Sequence, residues 1–146
     1  MIRFFDVVFA GIAILLVSPL LIVIILILRF SGEGEIFYLQ ERIGKKEKPF
    51  FICKFATMLK NSELMEGGGI TRVGDTRVLP LGKFLRKSKL NELPQLFNVF
   101  AGHMSFVGPR PLIPAQYMIF SKDQRRKISQ MKPGVTGIGS IVFRDE

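Results

Sequence analysis

The sequence predicts an α+β protein: a small, mostly helical globular domain behind an amino-terminal membrane helix that carries a kink. Three observations predict it. Val7 to Leu28 is a run of 22 residues without a charge. Phe50-Phe51-Ile52-Cys53-Lys54-Phe55 is aromatic and β-branched in the manner of a short strand, with helix as the alternative. Several amphipathic helical patterns come after it. The chain of 146 residues is long enough for one domain with its own core. The division expected is a membrane helix over 1–30 and a globular part over 31–146, whose first stretch, 31–49, reads as a polar connector.

The apolar run is long enough to cross a hydrocarbon core, which takes roughly 20 residues. It exceeds the apolar part of a cleaved signal peptide, Asp6 sits at its entry, and no small-residue cleavage site comes after it. Pro19 lies near its middle, where it removes a backbone hydrogen bond and predicts a kink at Ser18-Pro19. A kinked helix can still span. It can also turn back, since each arm of about 11 residues reaches only roughly 16 Å. Charges at both ends, Arg3 and Asp6 against Arg29, suit either arrangement.

In the globular part, Leu81 to Lys87 places Leu81, Phe84 and Leu85 against Lys83, Arg86 and Lys87, an amphipathic helix. A second helix is expected to begin at Asn91, with Leu93, Leu96, Phe97 and Phe100 on one face, Pro94 in the first turn and Gly102 past the end. Lys122 to Lys132 reads as a third helix ending before Pro133. Glu66-Gly67-Gly68-Gly69 reads as a surface loop, with a mobile lid as the sharper alternative.

Arg3 and Asp6 are the only charges among the first 28 residues and cancel, so the net charge of +9 belongs entirely to residues 29–146. A basic domain beside a membrane helix fits a cytoplasmic face rich in anionic lipid. No recognition motif or basic-aromatic series accompanies the charge, so nucleic acid is not an expected partner. The single cysteine, Cys53, excludes a disulfide framework. His103 is the only histidine, so no zinc set can be assembled, and a helix-end role suits it better than that of a base.

Glu92 is the foremost chemical candidate. At the start of a helix and beside Arg86, Lys87 and Lys89 it is held ionised, which suits a metal ligand better than a proton donor. A first-turn glutamate placed only for helix stability is the plainer alternative. Asn91 is a good N-cap and a poor nucleophile, because a neutral amide has no anionic oxygen to attack phosphorus. Gly108-Pro109-Arg110-Pro111 holds one guanidinium between two prolines, on a stiff loop suited to bidentate phosphate contact or to a simple surface turn. Pro133-Gly134-Val135-Thr136-Gly137-Ile138-Gly139-Ser140 could bring backbone N–H groups to an anion, though it lacks a Walker-type lysine at its end.

In order along the chain, these segments resemble the bacterial sugar transferases, specifically the small monotopic phosphoglycosyl transferases. The matching segments are Ser18-Pro19, Gln40-Glu41-Arg42-Ile43-Gly44, Lys54-Phe55-Ala56-Thr57-Met58, Phe84-Leu85-Arg86, Glu92-Leu93-Pro94-Gln95-Leu96, Asn98-Val99, Met104 to Pro111 and Pro133 to Gly137. The resemblance covers nearly the whole chain and implies a re-entrant membrane helix, with the globular part on the cytoplasmic face of the bacterial inner membrane. It implies transfer of a sugar phosphate from a UDP-sugar to polyprenol phosphate, releasing UMP and starting glycan assembly. It further implies Mg²⁺ on Glu92, and Lys54, Arg86 and Arg110 as phosphate contacts, with Arg144 a looser match to a substrate arginine. Membrane lipid is an implied partner, and a homo-oligomer is compatible with the sequence.

Asn91 stands where the family has its nucleophilic aspartate. His103 replaces an aspartate after Gly102, and Ser140 and Phe143 depart from the usual residues before Arg144. Asn91 then has three readings: direct transfer with Mg²⁺ on Glu92; Glu92 itself as nucleophile; or a non-catalytic relative. The several coherent departures favour a natural variant over one engineered change. The rival from another class is a non-catalytic basic membrane protein of the same fold that binds lipid phosphate or an assembly partner.

Overall fold

A computed structural model of the chain describes residues 2–31, 33–62, 65 and 74–137. The elements in order are α1 (Ile2–Phe30), β1 (Phe37–Ile43), β2 (Pro49–Phe55), α2 (Pro80–Lys87), α3 (Gln95–Ala101), β3 (Ser105–Val107), α4 (Pro114–Ile119), α5 (Lys122–Ile128) and β4 (Gly134–Thr136). Two short 3-10 turns, Lys45–Glu47 and Leu90–Glu92, complete the set. β1 pairs with β2, and β3 pairs in parallel with β4, Ser105 opposite Gly134 and Val107 opposite Thr136. The mixture of helices and small sheets is the α+β class expected.

α1 is one helix with Pro19 inside it. Its most apolar window has a mean hydropathy of 3.2 and is only 17% buried, so α1 is not the core helix of a globular protein. Leu15, Leu16, Ile22, Val23 and Leu26 are among its exposed side chains. A surface that apolar is stable only in a non-aqueous surrounding.

The chain divides into two compact units, each assembled from separated stretches. The first takes 1–16, 39–53 and 95–146, the second 17–38 and 54–94. Ala10, Phe50, Ile52, Val99 and Met104 form the core of the first, with Phe106 and Val135 against it. Leu21, Ile24, Leu28, Phe55 and Leu85 form the core of the second. Leu21, Ile24 and Leu28 fall at helical spacing, which turns one stripe of α1 inward.

Several sequence expectations are met closely. β2 covers the anticipated strand. α2 begins with Pro80 at its first turn, where the missing N–H costs little, and ends with Arg86 and Lys87 at the negative end of its dipole. α5 starts at a capping box in which Ser121 and Gln124 satisfy each other's backbone N–H groups. It stops at Ile128, short of the anticipated Lys132. The segment 31–49 is more than a polar connector, because it contains β1 and the 3-10 turn. Its strand was hidden by Gln40, Glu41 and Arg42, polar side chains tolerated where one face is uncovered. The loop Glu66–Gly69 lies outside the described residues.

Candidate active site

The junction between α2 and α3 departs from sequence expectation, and the departure bears on chemistry. Lys89 adopts a left-handed backbone (φ 60°) and ends α2. The chain then closes into the Leu90–Glu92 turn, and α3 starts only at Gln95. Asn91 is therefore no helix cap. It sits inside the turn, 8% exposed, and its side-chain Oδ1 is buried with no hydrogen-bond partner. Burial in the tertiary fold has overridden the local capping preference. Glu92 likewise is not in the first turn of α3, so the dipole argument for its charge does not apply.

A lysine takes the place of that dipole. Lys54, near the end of β2, meets Glu92 Oε1 at 2.9 Å, and both side chains keep some solvent contact. Two residues past β2, the buried Thr57 accepts a 2.9 Å hydrogen bond at Oγ1 from Arg86 Nε. Thr57 also takes the Leu79 N–H on its carbonyl at 3.0 Å. A Cβ at Gly82 would stand 2.1 Å from that same carbonyl, so only glycine lets α2 lie this close. Among the described residues, no hydrogen bond engages the Nη atoms of Arg86. Burial pushes its pKa below the ordinary arginine value, with the charges of Asp75 and Glu92 acting the other way. Arginine remains charged under any such shift.

Lys54, Arg86, Asn91 and Glu92 thus belong to one unit. They combine two cations, a carboxylate and an orphaned amide oxygen, a set matched to phosphate oxygens and a hard cation. Among the described residues no group of three or more His, Cys, Asp and Glu side chains could hold a metal. Among the described residues, Glu92 and Asn91 Oδ1 would hold a Mg²⁺ ion here. Its other ligands would be phosphate and water, the usual pattern for that ion. On the orphaned oxygen and the carboxylate beside it in sequence, the residues fit the ion.

Arg110 belongs to the other unit. It is exposed, and its proline neighbours are held: Pro109 O accepts from Gly134 N at 2.9 Å and Pro111 O from Arg42 Nη1 at 2.9 Å. Both proline carbonyls of the loop are thus hydrogen-bonded. The glycine-spaced segment is spent differently from the expectation of an anion loop. Gly134 donates to Pro109, and a Cβ there would lie 2.1 Å from Gly108 N, so the glycine permits close strand approach. Arg144, with Ile138 to Ser140 and Phe143, lies outside the described residues. His103 comes just after α3 and stacks on Phe50 at 6.0 Å, a helix-end residue as expected.

Sequence reasoning did not single out Thr57, Gly82 or the buried pair of Asp75 and Arg77, 2.6 Å apart. Thr57 lay inside a quoted motif, Lys54 to Met58, but its bond to Arg86 joins residues 29 apart.

Residues 1–146 match the family model described as bacterial sugar transferase. The chain belongs to that family. Among similar bacterial sugar transferases, the UDP-N-acetylgalactosamine-undecaprenyl-phosphate N-acetylgalactosaminephosphotransferase of Aeromonas hydrophila is 37% identical, over 96% of this chain and 33% of its own length. The exopolysaccharide production protein ExoY of Rhizobium meliloti is 36% identical, over 99% of this chain and 70% of its own. The UDP-glucose:undecaprenyl-phosphate glucose-1-phosphate transferase of Escherichia coli is 36% identical, over 93% of this chain and 30% of its own. This chain thus spans about a third of two of these transferases and most of the third.

Proposed function

We propose that this chain transfers a sugar phosphate from a UDP-sugar to polyprenol phosphate and releases UMP, an initiating step of polysaccharide assembly. The observation that carries the reading is the grouping of Lys54, Arg86 and Glu92 in one unit of a family member whose relatives are named for that reaction. Arg86 is fixed through Nε on Thr57, which leaves its planar fork for phosphate oxygens. Lys54 supplies a point charge to the same group of anions and holds Glu92 when substrate is absent. Arg110, between its two prolines, and Arg144 are assigned to further substrate phosphate or carboxylate contacts. Bound Mg²⁺ would neutralise phosphate charge and polarise the leaving group. Glu92 would hold the ion, with Asn91 Oδ1 as the second protein oxygen.

Asn91 has no anionic oxygen, so its part is to accept, not to attack. The acceptor lipid phosphate is the nucleophile in this reading: its oxygen forms the new bond to the sugar-bearing phosphorus as the bond to UMP breaks.

The membrane placement rests on α1. Arg3 Nη1 and Nη2 donate to the carbonyls of Val99 and Phe100 at 2.7 and 2.8 Å, and the buried Asp6 accepts from Ser105 Oγ. Leu21, Ile24 and Leu28 pack with Phe55 and Leu85. Insertion from a single face, taken as the cytoplasmic one, is supported by the exposed apolar side chains of α1 and the net charge of +9 carried by residues 29–146.

Purified protein with Mg²⁺, polyprenol phosphate and a panel of UDP-sugars tests the reading. UMP release with at least one sugar is expected, and only when both substrates are present. No release across a broad panel overturns the transferase, and a stoichiometric burst of UMP before acceptor is added overturns the direct step.

A further inference from the structure

Outside the candidate site, several charges of the first unit meet at the amino end of α1. Three ties bring Lys132 there. Asp6 holds Ser105 Oγ at 2.9 Å, Ser105 N donates to Pro133 O at 2.9 Å, and Lys132 immediately precedes Pro133. The turn that carries Lys45 is fastened to the same stretch by the bond from Lys46 N to Ser129 O at 2.7 Å. The charges that act on Lys132 are Arg3, Lys45 and Asp6. Asp6, the one carboxylate among these groups, is already engaged by Ser105 and Phe106.

The cations are not equivalent. Arg3 is committed to two carbonyls, whereas Lys132 is partly buried and has neither hydrogen bond nor ion pair among the described residues. Burial first, and then Arg3 and Lys45, push its pKa below the ordinary lysine value. A partly buried amine without a partner among the described residues can take an anion. The same end of α1 presents apolar surface: Ile2, Phe4, Phe5 and Phe9 are 75%, 68%, 48% and 56% exposed, and the rings of Phe5 and Phe9 stack at 6.1 Å. A ligand with an anionic head and an apolar body satisfies both features at once.

We propose that Lys132, backed by Lys45 and Arg3, binds the phosphate of an anionic phospholipid whose acyl chains lie against Phe4, Phe5 and Phe9 of α1. The inference rests on the membrane placement of α1 and is separate from the transfer reaction.

The test uses the full chain in nanodiscs of phosphatidylcholine, with and without phosphatidylglycerol, read as the shift in thermal midpoint that ligand binding produces. Phosphatidylglycerol should raise the midpoint, and inorganic phosphate at equal concentration should not. Lys132→Gln should remove at least half of the shift, Lys132→Arg should keep it, and Lys122→Gln, on exposed α5, should leave it whole. A full shift in Lys132→Gln, an equal loss in Lys122→Gln, or reproduction of the shift by inorganic phosphate overturns the proposal. Acetylation of wild-type lysines read by mass spectrometry covers the case in which a variant fails to fold. Lys132 should be protected by phosphatidylglycerol, and equal labelling in both discs overturns the lipid site. Parallel UMP assays keep this outcome apart from that of the transferase.

Discussion

Asn98 in the first unit and Asn91 in the second are seven residues apart, both more than nine-tenths buried, and opposite in what their amides do. Asn98 Oδ1 accepts from Cys53 N at 2.9 Å and its Nδ2 donates to Phe51 O at 2.7 Å, which ties α3 to β2. Asn91 Oδ1 has no donor among the described residues. A buried amide without a partner costs roughly 1–3 kcal/mol, so a fold keeps it where a ligand supplies the partner. In the first unit the polar groups of Asn98, Asp6 and Gly134 are satisfied internally. In the second, Asn91 Oδ1 is left open among the described residues, next in sequence to Glu92. The two amides thus differ: Asn98 holds the fold, and Asn91 is the one that the proposed function gives to a ligand.

Four experiments press on that contrast. The largest effect is expected at Glu92→Gln: UMP release should fall by about 10²-fold or more, the scale of losing one charge that stabilises a transferring group. Its partly exposed pair with Lys54 is worth at most ~1 kcal/mol, so the thermal midpoint should barely move. Loss of folding together with activity would place Glu92 among the structural residues instead. Asn98→Ala should cost about 2–3 kcal/mol in denaturant unfolding, because it strands a buried N–H and a buried carbonyl on β2. A variant as stable as the parent breaks the structural half of the comparison. Arg86→Lys removes the fork and the bond to Thr57 and should cut turnover about tenfold, mostly through substrate affinity. Asn91→Ala is the sharpest and smallest in stability terms. Deleting an unsatisfied carbonyl should leave unfolding within ~1 kcal/mol of the parent while turnover drops, and a clear loss of stability would reveal a partner for Asn91 in the fold itself.

Cys53 adds a pH control on the first unit. Burial raises its thiol pKa, so the folded chain keeps it protonated where an unfolded chain begins to ionise. Any stability tied to that group is present below the ordinary thiol pKa and is lost as pH rises through the raised value. Alkylation at mildly alkaline pH should accordingly be slower in the folded protein than after denaturation; equal rates would place the thiol in water.

Much of this molecule was legible from one dimension. The 22-residue apolar run, the strand at Phe50–Phe55, and the proline start and basic end of α2 are local patterns that local physics produces, while Lys54 and Arg86 came from the family resemblance. Other features were decided only by the fold. Whether Asn91 caps a helix or lies buried in a turn depends on what packs around it, and packing overrode a strong local preference. The glycines of the Pro133 segment look like an anion loop until Gly108 is found lying against Gly134. Arg3 and Asp6 read only as charges at one end of the apolar run until residues about a hundred positions apart are brought together. Chain order specifies which groups are available. Only tertiary contact, at sequence separations no periodicity reports, decides which of them are already satisfied and which still face a ligand.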